Sequence, residues 1–385
     1  MFSETVIRRC MNAVLNCSQR RGIANVEAIK TTPIRCANSV HRFLDRYDTF
    51  LFDCDGVLWG NDHVTPIDGI SSAISMLQKL GKKLIDVTNN STTSRLALQK
   101  KFTKYGFESP MENIFGPGYV SAKYLKEVLK VTGKTYLVCG DPVKWELDQL
   151  GMENVGCGSD VDKPTNDIHE LLDHSFHDDI EAVLVGFDEH FSFNKIYKAA
   201  SYVSNPHCHF VATNSLERGM FIGSAIDRSI IYTGAGILYV FGFWNRRLAP
   251  VSSSVMADSH VTDNMAAVNL SIMERSIYNT ETNRRRLPLT GVMVNSVAIA
   301  ANREPFVVGK PSRTMFDFVL KAHSDLNLKR TVFVGDNLKA DMAFARTVGI
   351  DSALVLTGVH KVVDIQHHTD FTPTYVLNSL ADIAC

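Results

Sequence analysis

The chain has 385 residues, of which 45% are hydrophobic and 21% charged, and a formal net charge of -1. This length allows two domains with a full core in each. The charge balance gives no footprint for nucleic acid or for an anionic membrane. The eight cysteines, Cys10, Cys17, Cys36, Cys54, Cys139, Cys157, Cys208 and Cys385, show no CxxC pair and no His/Cys ligand spacing. A structural zinc site is therefore not expected, and scattered cysteines read as reduced thiols of a cytosolic or matrix compartment.

Residues 1–36 carry Arg8, Arg9, Arg20, Arg21, Lys30 and Arg35 against only Glu4 and Glu27. Val6, Ile7, Cys10, Met11, Val14 and Leu15 fall on one face of a short helix. Two readings of residues 1–40 stand, a mitochondrial presequence or a disordered tail. No apolar run there is long enough for a secretory signal. The expected location is cytoplasmic, with the mitochondrion as the alternative.

Phe50–Gly60, FLFDCDGVLWG, reads as a buried strand that ends in two carboxylates one residue apart, Asp53 and Asp55. Gly56 lets the backbone turn away. Carboxylates at the carboxyl end of such a strand lie where open α/β sheets bind ligands. Cys54, between them, is expected to point into the core. KLIDVTNN then places Thr88, Asn89 and Asn90 after a second strand, PFVVGKPS places Lys310 after Phe306, Val307 and Val308, and TVFVGDN places Asp336 after Val332, Phe333 and Val334. SALVLTG adds a strand ending at Thr357 and Gly358. Helical stretches separate these runs, which implies a parallel sheet with right-handed crossovers and one crevice at the strand ends.

The interval from Asp53 to Thr88 has room for one helix and one strand, whereas that from Thr88 to Lys310 is far longer than a crossover needs. A second domain is expected there, with α/β patterning in TYLVCGDPV, EAVLVGFDEHFSFNKIYKAASYV and HCHFVATNS. The expected layout is a core of residues 41–114 and 303–385 and a cap of residues 115–302, with Gly116, Pro117 and Gly118 as the outgoing hinge.

Together, FDCDGVLW, VTNNST, VGFDEHFSF, VVGKPS and VGDNLKAD resemble the haloacid dehalogenase superfamily, in its 4-nitrophenylphosphatase branch with phosphoglycolate and pyridoxal phosphatases. The resemblance spans roughly residues 41–214 and 288–361. It implies a Rossmann-like α/β core with an α/β cap inserted between the second and third motifs. It further implies Mg²⁺-dependent hydrolysis of small-molecule phosphate monoesters such as 2-phosphoglycolate, glycerol phosphate or pyridoxal phosphate. Asp53 would be the nucleophile that forms an aspartyl-phosphate, Asp55 the general acid and base, and Lys310 the neutralising cation. Asp53, the backbone carbonyl of Asp55, and Asp336 would hold Mg²⁺, with Asp341 orienting that shell. Thr88, Asn89 and Asn90 would face the substrate phosphate, Asn90 more as loop support. His63 and His190 are expected at the surface or against the cap. Expected partners are a small phosphorylated metabolite and a second copy through the cap, with no nucleic acid and no membrane.

The sequence departs from the family in two places. After Asn214 the pattern is lost and returns at PLTG near Pro288; the stretch 216–287 includes the uncharged run Ser229–Trp244, too short to span a bilayer, and a polar tract from Val251 to Arg286. It reads either as a real insertion or as translated intron. Asn337 stands where the family commonly has Arg. These departures leave open two other functions, a catalytically impaired binding or regulatory protein with a disrupted cap, and a phosphoprotein phosphatase.

Overall fold

A computed structural model describes residues 31–158, 167, 169–170, 175–215, 218–220 and 286–384. The presequence question, the uncharged run Ser229–Trp244 and most of the polar tract after it lie outside the described residues. The first sheet has seven parallel strands in the order β1 (Thr32–Pro33), β14 (Tyr375–Leu377), β13 (Asp351–Val355), β12 (Thr331–Gly335), β2 (Thr49–Phe52), β3 (Lys83–Val87) and β4 (Ile114–Phe115). From β2 the chain winds outward through β3 and β4, then returns to β12 on the other side of β2 and winds outward again. The strand order therefore reverses between β2 and β12, which is where such sheets open a crevice.

The alternation of side chains explains why the middles of β2 and β12 are apolar on both faces. Phe50 and Phe52 of β2 and Val332 and Val334 of β12 face a layer of helices Ala37–Arg46, Ile70–Lys79 and Arg95–Lys104. Leu51, Phe333, Ile85 and Val87 point to the other face, under helices Pro117–Lys123, Arg313–Ala322 and Ala343–Val348. With both faces covered, β2 runs apolar from Phe50 to Phe52, and Thr49 at its start is buried as well. Full burial of each of these side chains contributes about 1.5–3 kcal/mol, and Phe52→Ala would cost about 3–5 kcal/mol.

A second parallel sheet runs β11 (Phe306–Val307), β8 (His209–Ala212), β7 (Ile180–Val185), β5 (Lys134–Val138) and β6 (Asn154–Val155). One of its faces buries Tyr136, Val183 and Phe210 against helices Phe193–Val203 and Thr290–Ala301. Its other face, with Leu137, Leu184 and Val211, joins the cluster that holds Leu51 and Phe333 of the first sheet. A two-stranded antiparallel ladder, β9 (Arg218–Met220) with β10 (Arg286–Pro288), brings together the two ends of the unusual stretch 216–287.

Two details differ from the sequence reading. Thr32–Pro33, read as tail, adds a parallel edge strand to β14. A two-residue edge strand containing Pro carries no periodicity by which it could be found. Phe306–Val307, read as a strand of the core, pairs instead with β8 of the second sheet, and the ladder continues as Val308 N–H donates to Ala212 O and Gly309 N–H to Thr213 O. A short apolar run announces a strand but not which sheet it joins. Lys310 thus follows directly on the second sheet's edge strand.

Candidate active site

β2 delivers Asp53 and β12 delivers Asp336 to adjacent points of the crevice, because the two strands are paired in register up to Val334 and Phe52. Asp53, Asp336 and Asp341 are all buried, and one ligand atom from each lies within 4.8 Å of the others. Lys310 sits among them: its ammonium donates to Val87 O at 2.8 Å and to Asp341 Oδ1 at 2.8 Å, and lies 3.1 Å from Asp53 Oδ1.

Each carboxylate is held differently. Asp53 Oδ1 also accepts from Cys54 N–H at 2.7 Å. Asp341 Oδ2 accepts from the backbone N–H groups of Asp336 and Asn337, both at 3.0 Å. Both oxygens of Asp341 are therefore committed to donors, which suits it to orient Lys310 and the β12 loop. Asp336 Oδ2 accepts from Val359 N–H at 2.6 Å. Its carboxylate lies between Gly56 and Gly358, and a Cβ at either glycine would overlap it. Gly56 also has φ +77°, a conformation that favours glycine. Asn337, the departure from the family pattern, accepts from Lys339 N–H at 3.0 Å and Ala340 N–H at 3.2 Å, and so caps the helical turn that carries Asp341.

Burial pushes Asp53 up to about 7; Lys310 pulls against this, while Asp341 and Asp55 add to it. Burial likewise raises Asp336, with Asp341 and Asp53 adding to the effect. Burial works against the charge on Lys310, but Asp341 and Asp53 outweigh it and hold the lysine above its ordinary value. Three carboxylates around one ammonium leave negative charge in excess. Burial pushes two of those carboxylates toward neutrality and that excess adds to it, so the cluster is suited to a hard divalent cation with oxygen ligands.

Asp55 enters the expected metal set through its backbone carbonyl, not its side chain. Its carboxylate turns away from the acidic cluster, whose third member is Asp341. Oδ1 accepts from Trp59 Nε1 and meets His63 Nδ1 at 2.7 Å, and Oδ2 accepts from Asn90 Nδ2 at 3.0 Å. Only its backbone remains for a cation. Burial would raise Asp55, but the charge of His63 and the hydrogen bonds from His63 and Trp59 hold it well below the usual carboxylate range.

Thr88 is buried, and its Oγ1 accepts from Asn90 N–H at 3.0 Å. Asn89 is spent on joining two loops: its Oδ1 accepts from Lys310 N–H at 2.8 Å and its Nδ2 donates to Lys310 O at 2.9 Å. Asn90 holds its own loop as well, with Oδ1 accepting from Thr92 N–H at 2.8 Å. Asn214 of the second sheet's β8 end donates to Asn89 O at 3.0 Å, so the cap touches the Thr88–Asn90 loop directly. Cys54 is fully buried in the core, as expected. His63 is the residue that sequence reasoning missed. Its side chain is 43% exposed, in keeping with the expected surface position; what the reading lacks is its contact with Asp55 from a loop eight positions on, at a φ of +58°. His190 is exposed on the second domain, its backbone N–H donating to Asp188 Oδ1 at 2.8 Å.

Among the described residues no helix is long and apolar enough to cross a membrane. The haloacid dehalogenase-like hydrolase family matches residues 50–153, and a HAD-hydrolase-like family matches residues 307–383. Glycerol-3-phosphate phosphatase of Rattus norvegicus is 30% identical, over 91% of this chain and 95% of its own length. 4-Nitrophenylphosphatase of Schizosaccharomyces pombe is also 30% identical, over 89% of this chain and 95% of its own. Among solved structures, p-nitrophenyl phosphatase from Archaeoglobus fulgidus superimposes with a TM-score of 0.60 at 23% identity, covering 88% of this chain and 98% of that one. A glycerol phosphate phosphatase from Mycobacterium tuberculosis, in complex with magnesium, gives 0.60 at 20% identity over 89% of this chain and 77% of that one. The chain belongs to the haloacid dehalogenase-like hydrolases and is a phosphatase of that family.

Proposed function

We propose that the chain hydrolyses small-molecule phosphate monoesters of the 2-phosphoglycolate, glycerol phosphate or pyridoxal phosphate class, with Asp53 as nucleophile. The observation that carries this reading is the meeting of Asp53, Asp336 and Asp341 around Lys310 where the strand order reverses. Asp53 attacks phosphorus and the P–O bond to the leaving alcohol breaks. Asp55 gives that oxygen its proton, later takes a proton from the attacking water, and the Asp53–phosphorus bond breaks. Asp55 is ionised before substrate arrives and takes up a proton from solvent as the phosphate binds beside it, because that negative charge favours the protonated form the first step needs. Lys310 offsets the charge of the nucleophile and the phosphoryl group at close range. Thr88 and the N–H groups of its loop hold phosphoryl oxygens.

Asp53, Asp336 and the backbone of Asp55 would hold Mg²⁺, with Asp341 orienting Lys310 and the β12 loop around them. The ion would neutralise the charge that accumulates when carboxylate and phosphate approach each other. The named activities of the relatives support the substrate class. The second domain lies against the Thr88–Asn90 loop through Asn214, which favours small esters over protein substrates. The test is kcat/KM with Mg²⁺ on 2-phosphoglycolate, glycerol 3-phosphate, pyridoxal phosphate and a phosphoserine peptide. A preference of about tenfold or more for one small ester supports the reading. A preference for the peptide overturns it.

A further inference from the structure

We propose that His63 is a positioning residue that aims the Asp55 carboxylate at the leaving-group oxygen, and this rests on the reading of Asp55 as proton donor. Asp55 is held by three donors, Trp59, His63 and Asn90. Two of them have other duties. Trp59 is a buried core residue packed on Phe102, and Asn90 closes its own loop through Thr92. The His63 ring has no such duty. Among the described residues the hydrogen-bond partner of its ring is Asp55, with Asn90 Nδ2 3.5 Å from the same ring nitrogen, and its side chain is 43% exposed.

The backbone under that ring is fixed from several sides. His63 N–H donates to Gly60 O at 2.9 Å, and its carbonyl accepts from Lys101 Nζ at 2.6 Å. Lys101 is itself lodged 3.6 Å from the centre of the Trp59 ring. Asp62 Oδ1 accepts from Val64 N–H at 3.0 Å and Thr65 N–H at 2.9 Å, closing the turn on the far side. A non-glycine residue with φ +58° is uncommon, and this one is kept there by contacts on both flanks. The loop is thus built to present one imidazole nitrogen to one carboxylate oxygen. A proton donor contributes about 10²–10⁴-fold only when its geometry is held, so the imidazole is expected to matter most where leaving-group protonation matters most.

That dependence supplies the test. A 4-nitrophenolate leaves as a stable anion, whereas the alkoxide of glycerol 3-phosphate needs a proton. Both substrates share the nucleophile, the cation site and the later water attack, and kcat/KM reports the step in which the leaving group departs. His63→Gly removes the ring at a φ that glycine accepts, and His63→Asn places an amide nitrogen where Nδ1 was and also tolerates this conformation. His63→Gly is expected to lose about tenfold or more kcat/KM on glycerol 3-phosphate beyond any loss on 4-nitrophenyl phosphate, and His63→Asn to recover most of the difference. Equal losses on both substrates, or no loss, in protein that melts as wild type does would overturn the proposal. His63→Ala provides a second ring-less variant if the glycine variant folds poorly. An Asp55→Asn variant that turns over both esters as well as wild type does would overturn the reading of Asp55 itself, and the role of His63 with it.

Discussion

Lys310 Nζ and Asp341 Oδ1 lie 2.8 Å apart with both side chains fully buried, and the pair joins the segment leaving the second sheet to the loop after β12. Removing one partner of such a pair leaves an uncompensated charge in a dry site, which costs about 3–5 kcal/mol. Lys310→Met is therefore expected to lower stability by that amount as well as to abolish turnover. The double variant Lys310→Met with Asp341→Asn is expected to regain part of the stability and none of the activity. Urea unfolding of the single and double variants measures the coupling; additive losses would mean that the pair is not coupled.

A second buried pair ties the Thr88–Asn90 loop to the second domain. Arg95, at the first turn of the helix that follows this loop, meets Glu146 through Nε at 3.0 Å and through its backbone N–H at 2.9 Å, and its guanidinium lies 3.5 Å from the centre of the Tyr119 ring. Burial raises Glu146 in spite of Arg95, so the carboxylate gains little beyond its hydrogen bonds. Arg95→Ala is accordingly expected to cost about 3 kcal/mol, and Glu146→Gln, which keeps an acceptor for the backbone N–H, about 1 kcal/mol. Thermal unfolding of the two variants checks the order; a costlier Glu146→Gln would contradict it.

Asp86 of β3 makes stability pH-dependent. It is 4% exposed, accepts from Ser109 Oγ at 2.6 Å, and is pushed by burial up to about 7 from an unfolded value of 3.8, with the Ser109 hydrogen bond pulling against the rise. Between those values the folded state keeps a proton that the unfolded state has released, so stability falls as pH rises across this window. The contribution is about 4 kcal/mol at most. Asp86→Asn keeps an acceptor for Ser109 and has no charge to bury. It should match wild type near pH 4 and exceed it in stability at pH 8. Parallel pH profiles for the two proteins would exclude this role for Asp86.

The strand ends were legible because chemistry and periodicity coincide there: Asp53, Thr88 and Asp336 each follow a run of apolar residues. The doubly wound layout followed from the spacing of those runs, and the second domain from the length between Thr88 and Lys310. Contacts made across long separations were not legible. Nothing near Arg95 announces Glu146, and nothing near Phe306 announces β8. His63 was missed because its role depends on a loop conformation rather than on a pattern. Asp86 was missed because one carboxylate inside KLIDV does not stop the segment from reading as a strand. The roles of Asn89 and Asn90 were only half visible: the residues sit by the site, but their amides hold loops.

The β9–β10 ladder pairs Met220 with Arg286, so the two flanks of residues 221–285 lie side by side. Replacing residues 221–285 by an Asn-Gly turn, which suits a two-residue hairpin, is expected to give a folded phosphatase of improved solubility. Cooperative melting and turnover of the shortened chain are the readout; an unfolded product would show that the removed segment is part of the structure.

The central claim is that Asp53 performs metal-assisted attack on phosphorus. Phosphate release from 4-nitrophenyl phosphate by purified protein, measured with Mg²⁺, with EDTA, and for Asp53→Asn, tests it most directly. The account predicts turnover with Mg²⁺, its loss in EDTA, and its loss in a variant that melts no lower than wild type. Turnover by Asp53→Asn near the wild-type rate, or a folded wild type inactive with Mg²⁺, would contradict it.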